Sequence, residues 1–216
     1  MSIDQYQAKK HYQSTTVADD YDDYRFRGIR GRMVHKAEQR ILNQTLANYF
    51  TPKSRVLDLP CGTGRLLEAY QPGGFQVVGC DISDAMLKHA RTRFRGDPLF
   101  DFQLANAEEL PFETNSFDYV VSFRFVLHLP KEVRRKVLSE MIRVAQHRLA
   151  INFYFDHPTP VLLLNKLLRR KASLPPNRIA ERRLAEEFEG LDVDICGVHK
   201  LAWFDPNWAM VVLQKN

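Results

Sequence analysis

Apolar residues recur at three- and four-residue intervals from Met33 to Phe50 (Val34, Ala37, Ile41, Leu42, Leu46, Tyr49), and Pro52 closes the pattern. That period predicts an amphipathic helix. Short apolar runs then alternate with helical stretches. Val56-Leu57-Asp58-Leu59 predicts a buried strand, Arg65–Tyr70 a helix, Gln76–Cys80 a second strand, and Ser83 the cap of a helix running to Phe94. Strands at Phe100–Leu104 and Phe117–Phe123, a helix at Lys131–Ala145 and a strand at Arg148–Phe155 continue the series. After Pro158 and Pro160 comes a basic stretch broken by Pro175-Pro176, then a predicted helix at Ile179–Phe188. Two last strands, Val193–Lys200 and Trp208–Leu213, are separated by Asp205-Pro206-Asn207, residues that favour a turn. Strands alternating with helices imply an α/β fold with a doubly wound, mostly parallel sheet, here of seven strands. The short final connection makes the C-terminal pair antiparallel.

At 216 residues and 44% hydrophobic content, the chain is expected to form a single domain, 1–216. Residues 1–32, polar and Tyr-rich, read as an N-terminal extension, and 158–178 as an insertion after the fifth strand. No run approaches the roughly 20 apolar residues that cross a bilayer, and Met1-Ser2-Ile3-Asp4-Gln5 does not resemble a signal peptide. A soluble, cytoplasmic protein is expected. Cys61, Cys80 and Cys196 have no ligand-like spacing, so neither a disulfide framework nor a metal site is expected.

Net charge changes the picture only locally. The formal charge is +5, and Val161 to Arg183 alone carries +6, with seven basic residues against one acid, Glu181, so the rest of the chain sums to −1. Overall basicity prompts a nucleic-acid hypothesis, but a single basic segment confines any acidic partner to that stretch.

Ligands of open α/β sheets bind beyond the carboxyl ends of the strands, where the winding reverses. The first predicted strand runs into Pro60-Cys61-Gly62-Thr63-Gly64, whose glycines allow a tight turn and close approach to a ligand. The second ends at Asp81, whose carboxylate suits two neighbouring ribose hydroxyls. A dinucleotide fingerprint wants a third glycine where this chain has Leu67. Asp58, an acid at the loop entrance, suits a cationic ligand better than a pyrophosphate.

Val56-Leu57-Asp58-Leu59-Pro60-Cys61-Gly62-Thr63-Gly64-Arg65 resembles the first motif of class I, Rossmann-like methyltransferases that use S-adenosylmethionine, and Val78-Gly79-Cys80-Asp81-Ile82-Ser83 resembles the second. Ala105-Asn106-Ala107-Glu108-Glu109-Leu110-Pro111-Phe112 and Ser116-Phe117-Asp118-Tyr119-Val120-Val121 are similar to the third and fourth, in the small-molecule branch that includes ubiquinone and menaquinone C-methyltransferases. The resemblance implies S-adenosylmethionine as cofactor and a role for each matching position. Asp58 would orient the loop and the cofactor's amino-acid moiety, with the backbone of Pro60, Gly62 and Gly64 passing close by. Asp81 would hold the ribose, Ile82 would pack on adenine, Asn106 and Ala107 would face the adenine edge, and Phe123 joins these contacts. Pro60 stands in place of a usual glycine and Asn106 in place of a usual aspartate.

Methyl transfer is in-line displacement, for which positioning suffices unless the acceptor is a hydroxyl that needs a base. His128, after the fourth strand, is the catalytic candidate; the plainer reading is a histidine that caps its loop. Tyr154, Asp156 and His157 are placed similarly after the fifth strand. Asn152-Phe153-Tyr154-Phe155 lacks the prolines of an amino-methylating Asn-Pro-Pro-Tyr box. Tyr6, Tyr12, Tyr21, Tyr24 and Phe26 form a lid or pack on the sheet, and Arg25, Arg27 and Arg32 are candidates for the cofactor carboxylate. Val161–Arg183 is a substrate-side lid, or else a peripheral contact with anionic lipid. The acceptor is expected to be small, and anionic or lipid-linked; nucleic acid is not the expected partner. An RNA methyltransferase and a non-catalytic S-adenosylmethionine-binding protein stand as the alternatives.

Overall fold

The computed structural model describes residues 28–156, 177–202 and 205–216. The proposed lid residues Tyr6 to Arg27, His157, and residues 161–176 of the basic segment lie outside the described residues. The predicted first helix is α1 (Gly28–Tyr49), which also takes in residues 28–32 from the expected extension. It is followed by β1 (Arg55–Asp58), β2 (Gln76–Asp81), α2 (Asp84–Arg93), β3 (Phe100–Leu104) and β4 (Phe117–Ser122). Then come α3 (Lys131–Val144), β5 (Ala145–Tyr154), β6 (Val193–Ala202) and β7 (Asp205–Lys215). Ser83 caps α2, its hydroxyl accepting from the Met86 N–H at 3.4 Å.

Three local expectations are corrected. The helix expected at Arg65–Tyr70 is a 3₁₀ run, Leu67–Gly73, because Pro72 has no N–H to continue an α-helix and Gly74, at φ 63°, reverses the chain. Ile179–Phe188 likewise holds a 3₁₀ run, Glu181–Glu187, while Ile179 makes an isolated bridge to Phe155. Asp205-Pro206-Asn207 is strand, not turn. Ala202 pairs with Asp205, so the reversal falls between them and the ladder overrides the turn preference of the three residues.

The seven strands run in the order β3-β2-β1-β4-β5-β7-β6. β1 is parallel to both β2 and β4, and β7 is antiparallel to both β5 and β6. Alternation along the strands sends Leu57, Val120, Leu149, Ile151 and Val211 to one face, against Val137, Leu138 and Met141 of α3. Val56, Val77, Tyr119, Val121 and Met210 point to the other face, against Ile41, Leu42 and Leu46 of α1. Three layers result, with the winding reversing between β1 and β4.

Candidate active site

The chain leaves β1 along the switch point. Leu59 N–H donates to the Val121 carbonyl at 2.9 Å and Cys61 N–H to the Cys80 carbonyl at 2.8 Å, so the loop stays threaded between β4 and β2. It then turns through Gly62 (φ 57°) and Gly64 (φ 77°). Gly64 serves packing: a Cβ there would sit 3.0 Å from Phe94 Cε2 and 3.3 Å from Ala90 Cβ. At Gly62 nothing lies within 4 Å of that position, so the backbone faces open space.

Two buried acids flank the loop. Asp81 Oδ2 accepts from Gly62 N–H at 3.0 Å and Oδ1 from Ser83 N–H at 2.9 Å, tying the two loops together. A carboxylate offers about four acceptor sites, so capacity remains for a further donor. Asp58 Oδ2 accepts from the Tyr70 hydroxyl at 2.5 Å. Burial pushes Asp58 from 3.8 up to about 7, opposed by the Tyr70 bond and assisted by the Asp81 charge. Burial also lifts Asp81 to about 6 against the pull of its backbone donors. The Cys61 thiol is held well above its ordinary range, first by burial and then by the two acids.

The loops border one cleft of about 950 Å³, a volume that includes space open to solvent. Asp58, Pro60, Gly62, Asp81 and Ile82 line it, together with Phe123, Arg124, Phe125, His128 and Leu129. The loop that carries His128 is pinned from behind: Arg134 donates to the Leu129 carbonyl at 3.2 Å and Asn177 N–H to the Leu127 carbonyl at 3.3 Å. Arg134 is itself held by Glu187 at 2.8 and 3.0 Å.

Of the residues singled out from sequence, Asp58, Pro60, Gly62, Asp81, Ile82, Phe123 and His128 meet at the cleft. Gly64, Asn106 and Ala107 are not among its lining residues. Asn106 Oδ1 accepts from Glu108 N–H at 3.2 Å within its own turn, and Ala107 is buried in the core on the α3 side. Tyr154 is buried and stacks edge-on against Trp208, Asp156 lies 3.6 Å from Arg178, and Arg32 is exposed on α1.

Sequence reading missed a charged cluster in the cleft wall. Glu38 of α1, fully buried, binds Arg65 of the β1 loop at 2.7 Å and Arg124 through its other oxygen. Arg65 also contacts the His35 ring, whose pKa is lowered first by burial and then by Arg65. Arg124 has φ 55°, a left-handed conformation that costs a non-glycine residue about 1–3 kcal/mol. Its N–H donates to Asn152 Oδ1 at 3.3 Å and its guanidinium lies over the Trp208 ring at 4.5 Å. No local signal reveals this cluster, because Glu38 and Arg124 are 86 positions apart.

Sheet order and antiparallel β7 define a Rossmann-like fold, with the glycine loop and the acids ending β1 and β2 at its switch point. Residues 56–148 match the model of the methyltransferase domain family. Over 123 residues the chain is 37% identical to a demethylmenaquinone methyltransferase of Clavibacter sepedonicus, covering 56% of this chain and 49% of that protein. Over 106 residues it is 42% identical to a demethylmenaquinone methyltransferase of Symbiobacterium thermophilum, covering 44% and 40%. The match thus spans half or less of the length of these curated relatives. In fold it is similar to the magnesium protoporphyrin IX methyltransferase of Synechocystis PCC 6803 with bound SAH, with a TM-score of 0.77, 17% identity, and coverage of 97% of this chain and 98% of that one.

Proposed function

We propose that this protein transfers the methyl group of S-adenosylmethionine to a small-molecule acceptor held against Phe123, Phe125, His128 and Leu129. The observation that carries the reading is one cleft lined both by the buried acids Asp58 and Asp81 and by Phe123, Phe125, His128 and Leu129. The residues present fit the cofactor. Open space beside Gly62 admits close approach, Asp58 suits a cationic group, Asp81 keeps acceptor capacity for ribose hydroxyls, and Ile82 offers an apolar surface to adenine. S-adenosylmethionine supplies an electrophilic methyl group on a sulfonium. The chain's own contribution is to hold the acceptor in line and exclude water, with His128 taking the proton where the acceptor is a hydroxyl.

The relatives' names, demethylmenaquinone methyltransferase, support an acceptor with an apolar body. Asn106 and Ala107, although outside the cleft lining, follow β3 and remain proposed neighbours of the adenine edge. Among the described residues no helix is long and apolar enough to cross a membrane, and a cytoplasmic location is proposed on that basis. Contact with anionic lipid through Val161–Arg183 is proposed from its seven basic residues against one acid, and its described end adds little to that. There Arg178 and Arg183 already face Asp156 and Glu186, which leaves less free charge than the sequence count suggests.

The test is calorimetric titration with S-adenosylmethionine, followed by transfer of a labelled methyl group into a metabolite and quinone-lipid extract or into total RNA. Binding with label in the small-molecule fraction is expected. A folded protein that ignores the cofactor, or that labels RNA alone, overturns the reading.

A further inference from the structure

We propose that the acceptor carries an oxyanion, a carboxylate or phosphate on an apolar ring-bearing body, and that Arg124 with Arg65 receives it inside the cleft. This names the substrate class of the site proposed above and rests on that reading. Arg124 is immobilised in three independent ways: a left-handed backbone held by Asn152, the Trp208 ring beneath its guanidinium, and Glu38 along one edge. Its side chain nevertheless lines the cleft, 14% exposed, and so does that of Arg65 at 13%. A tether between α1 and the sheet requires neither a strained backbone nor a second arginine at the cleft surface.

The placement of charge within the cleft points the same way. Asp58 and Asp81 line the cleft together with Arg65 and Arg124, whose guanidinium groups both bind Glu38. A cleft lined by both carboxylates and guanidinium groups offers one set to a cation and the other to an anion. Arginine's planar fork matches the oxygens of a carboxylate or phosphate, and Phe123, Phe125 and Leu129 lower the local dielectric so that the pairing counts for more than in water. Because the fork is already oriented, little side-chain entropy is lost when the anion arrives.

The experiment titrates SAH-saturated protein with 2-naphthoate, 2-naphthyl phosphate and the uncharged isostere 2-naphthamide. The wild type is expected to bind one of the anions at least about 10-fold more tightly than the amide, with the preference shrinking as salt rises. The carboxylate and phosphate arms show which oxyanion fits. Arg124→Gln is expected to bring the ratio to about one while SAH affinity holds. Arg124→Lys, which keeps the charge but loses the fork, is expected to retain part of the preference. Equal affinities in the wild type, no binding of either anion, or an Arg124→Gln variant that loses only SAH affinity each overturn the proposal. The wild-type comparison decides even if the glutamine variant does not fold. A protein that binds SAH without preferring anions overturns this proposal alone; one that ignores SAH overturns the methyltransferase reading with it.

Discussion

Asp58 and Asp81 are acids whose burial makes them hold protons near neutrality, at about 7 and about 6. Folded values raised above the unfolded ones contribute stability that is fully present below about pH 4 and is lost as pH rises through 6 to 7. A cationic cofactor favours the ionised carboxylates, so its binding should strengthen from about pH 5 to 8 and release up to about one proton near pH 6.5. Calorimetry in buffers of different ionisation enthalpy measures that proton, and Asp58→Asn should flatten the profile. Tyr70 opposes the rise at Asp58 through its hydrogen bond, so Tyr70→Phe should move the midpoint of the profile to higher pH. A shift the other way would mean that the hydroxyl serves only packing. At His128 the expected outcome of a Gln substitution is turnover lower by about 100-fold with cofactor affinity intact, provided the acceptor is a hydroxyl. Near-normal turnover would leave catalysis to positioning alone. At this scale the acids and loop glycines were legible because their strands announce them. Tyr70, Glu38 and Arg124 were not, because their importance arises from contacts across distant elements.

Among the elements, α1 depends on Glu38 more than on any propensity of its own. It has no acid in its first turn and no base in its last, so its docking rests on Ile41, Leu42 and Leu46 and on the paired arginines. Glu38→Ala strips a fully buried carboxylate from two part-buried cations and should cost up to about 3–5 kcal/mol, read as a lower urea midpoint at unchanged slope. A loss under about 0.5 kcal/mol would show a cluster of the surface type. Gly64→Ala should cost about 1–2 kcal/mol from its left-handed backbone, and more if Phe94 cannot yield the 3.0 Å approach. Strands and their order along the chain were readable from β-branched runs such as Val77-Val78 and Val120-Val121. The two 3₁₀ runs were not, since a short apolar period does not separate 3₁₀ from α. Asp205-Pro206-Asn207 misled because turn chemistry is local, whereas the ladder with β6 that overrides it is not.

Across the whole molecule, protection from hydrogen exchange should follow the order of the sheet. β1, β4 and β5 have partners on both sides and buried side chains, so they should exchange only through global opening, while the edge strands β3 and β6 exchange sooner. Uniform rates along the sheet would contradict a single cooperative core. The doubly wound class was legible because strand and helix periods alternate in order; the meeting of acids and arginines at one cleft emerges only once the strands are laid side by side. The place of β7 has one more consequence, for the chain as it is made. β7 wedges between β5 and β6 and begins about 50 residues after β5 ends. At about 5–20 residues per second, β5 therefore waits on the order of 3–10 seconds on the ribosome with an open edge of unpaired amides and carbonyls. Phe153, Ile151 and Leu149 alternate along that waiting strand, an apolar edge of the kind nascent-chain chaperones cover. Slowing translation between residues 154 and 205 should thus lower soluble yield more than an equal delay before β1.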